Sequence, residues 1–309
     1  MEQIKKNVIL GVGLGLVASF MWGSWPVISK LATIQHLSGV DITLLRFLVA
    51  GAILLPVLFY RSISLRTITT KGVLLAIGAG APYVLLATTG LQVSSSAHFG
   101  LITPSTMLLF STLGSVLWFK ESMKPSKLIG ILFIVIGVAI IGGSSVGTAS
   151  TSTLMGDVMF IGCGLLWASY TLLCKYWELN AWVATALVSV VSALFCFPLF
   201  VMNISNMIER IPIEGLIMHG VFQGVLVGIV ALYCYSKAVS ILGATQGAVF
   251  ACLAPPVSLL LSVFLLDEPL EITAVIGLIS ICSGMLISLR VITLRTKGDK
   301  RLQTVRVLK

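Results

Sequence analysis

The stretch at residues 8–28, VILGVGLGLVASFMWGSWPVI, decides how this sequence is read. It carries no charge, and about 20 apolar residues in a helix reach across the hydrocarbon core of a bilayer. Its closing motif, Trp22-Gly23-Ser24-Trp25 with Lys30 beyond it, returns as Trp167-Ala168-Ser169-Tyr170 with Lys175 beyond, at a constant offset of 145. A span with a copy of itself raises two questions: how often the chain crosses, and how its halves are related.

The whole chain agrees with its first span. Of 309 residues 57% are hydrophobic and 10% charged, with a mean hydropathy of +1.07; soluble proteins carry roughly 25% charged residues. So few charges cannot clothe a water-facing body of this size, so most of the outside is expected to face lipid, which excludes a soluble or disordered protein. Counting apolar stretches bounded by charges, turns or polar clusters predicts ten helices, at residues 8–28, 42–60, 72–92, 97–119, 128–145, 154–175, 181–202, 215–236, 246–266 and 274–292. The stretches are continuous rather than alternating, which rejects a β-barrel. No linker is long enough for a second, soluble domain. Lys5 and Lys6 before an apolar run imitate a secretory signal, but the run is too long for one and lacks a clear cleavage site. The six cysteines fall inside spans without paired spacing and read as packing residues.

With ten spans both termini share a side, and 17 of the 20 basic residues fall on it, leaving Lys30 and Arg210 opposite and Arg46 inside the second span. Basic flanks stay cytoplasmic, so a multi-pass protein of the bacterial inner membrane with both termini inside is expected. The excess of 20 basic over 11 acidic residues then calls for no nucleic acid; the expected partners are the lipid bilayer and a small-molecule substrate, and the basic tail at 293–309 is expected to be a topological anchor that also touches anionic lipid.

The repeat extends beyond its opening motif. Ala97, Gly100, Glu121, Gly130 and Gly137 correspond to Ala244, Gly247, Glu268, Gly277 and Gly284 at an offset of 147. Five spans per half is an odd number, so the second copy enters from the other side. The expected fold is therefore an all-α integral membrane protein of two inverted five-helix repeats, residues 1–147 and 148–292, followed by the basic tail. Two near-equal halves that exchange conformations around a central site favour a carrier. No charge ring or filter motif points to a channel. The three histidines stand apart from any metal-ligand spacing, and nucleophile and phosphate-loop motifs are missing, so neither an enzyme nor a metal or other cofactor is expected.

These residues carry a family resemblance. Gln223-Gly224-Val225, Ala231-Leu232-Tyr233, Ala238-Val239, Leu242-Gly243-Ala244, Pro255 and Asp267-Glu268-Pro269 resemble the second repeat of the EamA family, and Arg46-Phe47, Lys120-Glu121 and Gly130 to Gly137 its first. The likeness covers residues 8–290. EamA proteins belong to the drug/metabolite transporter superfamily, so it implies a basket of two inverted halves exporting small metabolites, amino acids first among them. Drug, nucleobase or sugar transport on the same fold, or a non-transporting membrane scaffold, are the alternatives. Pro104 departs from the pattern, lying a turn before Leu108, the equivalent of Pro255.

Candidate site residues follow from polar or aromatic groups inside spans. Trp22, Trp25, Trp167 and Tyr170 recur at i, i+3 spacing near mid-span and line either a cavity or a helix contact. Ser24 adds a hydroxyl that contacts substrate or bonds back to its own helix. Arg46 either meets a substrate carboxylate, snorkels to the interface, or pairs with Asp41 or Asp267. Tyr83, Tyr233 and Gln246 are buried polar groups in need of partners. Pro104 and Pro255 are static kinks or hinges. Asp157, near the start of the sixth span, is the candidate membrane carboxylate for coupling, and His98, near an outer end, is a candidate for substrate binding or coupling or else a structural histidine. With no carboxylate at mid-span, proton exchange at a central glutamate is disfavoured.

Overall fold

The computed structural model describes residues 2–123, 125–148, 151–242 and 249–288, and these contain only helices and turns. In chain order the helices are α1 (Glu2–Ile34), α2 (Gly39–Tyr60), α3 (Leu65–Val93), α4 (Ser96–Phe119), α5 (Pro125–Thr148), α6 (Thr151–Tyr176), α7 (Ala181–Arg210), α8 (Ile213–Leu242), α9 (Val249–Leu266) and α10 (Ile272–Ser288). Among the described residues eight helices are long and apolar enough to cross a membrane; the apolar stretches Pro125–Ile141 and Ile272–Ser288 are shorter. Large apolar side chains such as Phe59, Leu117, Phe195 and Phe264 stand exposed on the outside of the bundle, which suits lipid and not water.

Capping, rather than hydropathy, ends several helices. α3 starts at Leu65, before the apolar run, because the Ser64 side chain accepts from the Thr67 amide. α7 carries its charged last turn on to Arg210, where Ile211, held extended before Pro212, stops it. α4 and α9 end alike: Lys120 and Asp267 both adopt a left-handed conformation (φ 52° each), and their amides bond back to Ser115 and Ser262. Those two pairs of positions are related by the same offset of 147 that relates the glycines.

The packing repeats the pattern. α4 lies on α6 and α9 on α1; α1 lies on α8 and α6 on α3; α2 lies on α8 and α7 on α3; and α5–α10, α2–α7 and α4–α9 pack as pairs. Each of these contacts between the halves thus has a mate in which every helix is replaced by its equivalent. The α5–α10 pair crosses on glycines: a methyl at Gly130 would stand 2.6 Å from the Gly284 carbonyl oxygen, and one at Gly284 the same distance from that of Gly130. Only residues without a side chain let the backbones approach this closely.

Three interior helices are irregular. α3 breaks at Gly80 ahead of Pro82, and the Ala81 amide freed there donates to Ser192 Oγ of α7 at 3.2 Å. Its mate α8 widens into π-turns over Val221–Val230, a geometry that gathers at functional sites. α9 restarts at Ala254 after a turn at Cys252 and Leu253, with Pro255 in its first turn, whereas Pro104 sits inside an unbroken α4.

Candidate functional site

Let the upper end of the bundle be the one at which α4 begins and the lower end the one at which it stops; 24 residues put these about 36 Å apart. Between them lies a cavity with a free volume of about 540 Å³ including its open mouth. Its wall is drawn from α1, α2 and α3 and from their equivalents α6, α7 and α8: Trp22; Arg46, Phe47 and Ala50; Ala79; Trp167 and Tyr170; Thr185, Val188 and Ser189; Val227, Gly228 and Leu232. Most of these sit at mid-helix or below it. Above them a plug closes the bundle. Trp25 lies 6.3 Å from Tyr83 and 5.1 Å from Phe99 between ring centroids, and Phe99 meets Phe160 edge-on at 5.1 Å. The plug is tied by Gln223, which the π-turns of α8 turn inward: its Oε1 accepts from Trp25 Nε1 at 2.7 Å and its Nε2 donates to Ser29 at 3.0 Å. Sequence reading passed over Gln223 as a family landmark; an amide in the middle of an apolar span was the signal that could have found it.

Arg46 is the charged member of the cavity wall and is 8% exposed. Its guanidinium carbon sits 5.4 Å from the Trp25 ring centroid and 5.8 Å from that of Phe47, contacts that attract a cation but accept none of its hydrogens in a directed bond. Pairing with Asp41 or Asp267 does not occur. Asp41 Oδ2 accepts from Arg210 Nη2 at 3.1 Å and from the Ser38 amide at 2.8 Å, capping α2, while Asp267 closes α9 in an exposed turn. Among the described residues, no acceptor or carboxylate lies within bonding distance of the Arg46 guanidinium.

Of the other sequence candidates, Trp22, Trp167 and Tyr170 line the cavity, and Trp25 and Tyr83 roof it. Tyr83 and Trp167 meet edge-on at 4.9 Å. The Ser24 hydroxyl bonds back to the Met21 carbonyl at 3.1 Å. Tyr233, 47% exposed, leans on Trp182 on the outside of the bundle, since it follows the cavity residue Leu232 by one helical position and points about 100° away. Gln246 and the basic tail at 293–309 lie outside the described residues.

Two polar clusters bracket the cavity. At the upper end Glu268 accepts from the Ser96 and Ala97 amides (3.0 and 3.3 Å) and the Ser96 hydroxyl (3.1 Å), capping α4 from the α9–α10 turn. Lys30 Nζ lies 3.4 Å from Glu268 and donates to the Ser94 carbonyl at 2.6 Å. Ser94 Oγ donates in turn to Asp157 at 2.7 Å, and His98 Nδ1 lies 2.9 Å from the same oxygen. Asp157 and His98 are thus one buried pair, joined through Ser94 to the lysine. At the lower end Lys175 and Lys127 both pair with Glu121, and the hydrogen bond from Lys175 holds the Glu121 carboxyl below its ordinary range. Lys30 and Lys175 are repeat equivalents, as are Glu121 and Glu268, so each pair joins the lysine of one half to the glutamate of the other. Among the described residues no group of His, Cys, Asp or Glu is arranged to hold a metal ion.

Residues 9–143 and 154–290 each match the EamA-like transporter family. A curated relative from Bacillus subtilis (strain 168), the uncharacterized transporter YetK, is 26% identical over 295 residues, covering 92% of this chain and 88% of its own. A protein of known crystal structure, 18% identical, superimposes with a TM-score of 0.60 over 90% of this chain and 96% of its own, a likeness of fold.

Proposed function

Since the chain belongs to the EamA-like transporter family, we propose that it is an alternating-access exporter of small metabolites. It is a multi-pass membrane protein of a transporter family; the halves, the direction and the cargo are our reading. In it residues 1–147 and 148–292 are inverted five-helix repeats related by a pseudo-two-fold axis in the membrane plane, with α5 and α10 as two short spans that bring the total to ten. The observation that carries this reading is the wall of the cavity, built from three helices of one half and their three equivalents of the other. The exchange of helix partners between the halves and the crossed lysine–glutamate pairs support it further. Such an interface is where an inverted-repeat carrier holds its cargo.

The upper end, where basic residues are few, is read as the outer face of a bacterial inner membrane, and the lower end as the cytoplasmic face. The plug of Trp25, Tyr83, Phe99 and Gln223 closes the cavity from outside. Opening outward then requires the Lys30–Glu268 end to part while the Lys175–Glu121 end tightens. Pro255, at the restart of α9, is positioned to act as a hinge for that movement. Amino acids, organic acids, drugs, nucleobases and sugars make up the cargo panel. Full-length protein in liposomes loaded with such a panel gives the test: efflux of at least one compound, lost when the lysine–glutamate ends are cross-linked, supports the carrier, and no flux of any compound supports the membrane scaffold instead.

A further inference from the structure

The cavity wall has an imbalance of charge that bears on what it binds. Arg46 brings a full positive charge and five N–H donors to the cavity, while none of the other lining residues is ionised. What surrounds the arginine is aromatic and apolar: Trp22, Trp167 and Tyr170 in the cavity wall, and the rings of Phe47 and Trp25 at the guanidinium. Thr185 and Ser189 supply hydroxyls from α7, which packs on α2, the arginine's own helix. An intramembrane arginine is costly to keep and normally finds a counter-charge in protein or in a wet cavity. Here the carboxylates nearest in sequence or by topology are committed: Asp41 to Arg210, Glu268 to Lys30 and the α4 amides, and Asp157 to Ser94 and His98.

Resting on the carrier reading, we propose that the cavity selects an organic monoanion: a carboxylate on an uncharged, preferably aromatic body, taken in preference to the zwitterionic amino acid with the same side chain. Arg46 meets the carboxylate in the two-pronged geometry that guanidinium and carboxylate share. Trp22, Trp167 and Tyr170 cover the body. An α-ammonium group on the same ligand is desolvated opposite a wall with no carboxylate to receive it, and it is carried close to a fixed positive charge. The cost of burying an unpaired ion in such a place is what separates the two ligands. The sites that fit are those of 2-oxo acids, 2-hydroxy acids and N-acylated amino acids.

The test compares phenylpyruvate, N-acetylphenylalanine, phenylalanine and phenethylamine on the full-length protein, by thermal stabilisation in detergent and by flux in liposomes. The two anions are expected to bind at least tenfold more tightly than phenylalanine, with phenethylamine weakest. Arg46→Gln is expected to erase the preference and Arg46→Lys to keep part of it. The ranking in the unaltered protein needs no variant to fold. Phenylalanine binding as tightly as phenylpyruvate, an unchanged preference in a folded Arg46→Gln protein, or binding of none of the four would each overturn the proposal. Selective anion binding without flux would leave the ligand class standing and remove the carrier, whereas flux of panel compounds without anion preference would do the reverse.

Discussion

Lys30–Glu268 and Lys175–Glu121 join equivalent residues at opposite ends of α4, yet they live in different surroundings. The upper pair has side chains 23% and 12% exposed and is woven into the α4 amides, the Ser94 carbonyl and the Asp157–His98 pair; the lower pair is 46% and 38% exposed, with Lys127 and the Phe119 ring in addition. The cavity lies under the buried pair and on the side of the open one. Equivalent positions of the two halves have therefore been packed into two environments, one closed and one loose. In a protein that alternates between two arrangements, a single conformation must break the symmetry of its own repeat in this way. On the proposed alternating-access reading the difference between the ends describes one state of the molecule, and the residues that make it are those whose change should move it.

The largest effect is expected at the upper end. Glu268→Gln removes a charge that caps α4 and holds Lys30, leaving half-buried donors with weaker partners, so it should cost about 1–3 kcal/mol in unfolding measurements. It should also raise the labelling of a cysteine placed at Ala50, in the cavity wall, by a reagent confined to the outer side. Glu121→Gln should do neither. Equal losses at the two ends would erase the distinction between a closed and an open gate.

Next comes the pair beneath the lysine. A carboxylate only accepts, so the His98 ring nitrogen facing Asp157 carries the proton, and Asp157→Asn replaces an ionic acceptor with a neutral one. A stability loss of about 1–2 kcal/mol is expected. If this pair couples the upper gate to protons, flux in the variant should also lose its dependence on outer pH. A pH profile that survives intact in Asp157→Asn would leave the cluster a structural brace of the closed end.

How much of this was legible beforehand differs by kind of residue. Spans are written in long apolar runs, so helices α2, α4 and α6 lie close to where hydropathy put them, while α1 runs six residues further at each end and the limits of α3 and α7 moved because caps and a proline, which hydropathy ignores, set them. The repeat was legible through glycines and turn residues, because backbone approach and left-handed caps admit few side chains. Trp22, Trp167 and Arg46 reached the cavity as candidates because a polar or aromatic group at mid-span is conspicuous. Gln223, Thr185 and Ser189 were not singled out, since which side of a helix faces inward depends on the π-turns of α8 and on how α7 packs against α2 and α3, and neither is written in composition. The crossed ion pairs needed the fold itself: Lys30 and Glu268 are distant in sequence and meet only when the halves pack.

The smallest effect, and the sharpest check on the looseness of the lower end, concerns acid. The hydrogen bond from Lys175 lowers the folded-state pKa of Glu121 below that of the unfolded chain. A depressed carboxyl stabilises the fold above its unfolded pKa, near 4.3, and loses that contribution as pH falls through the lower folded value. Between pH 5 and 8 the contribution is therefore constant, and it fades only in stronger acid. With both partners more than a third exposed, solvent screens the pair, so its worth is that of a surface ion pair, about 0.2–1 kcal/mol, reduced further by salt. Comparing Glu121→Gln with the parent should accordingly give a small stability gap that closes below about pH 4 and narrows at high salt. A gap as large as that of Glu268→Gln, or one insensitive to salt, would mean that the lower end is sealed as firmly as the upper, and that the cavity is closed on both sides.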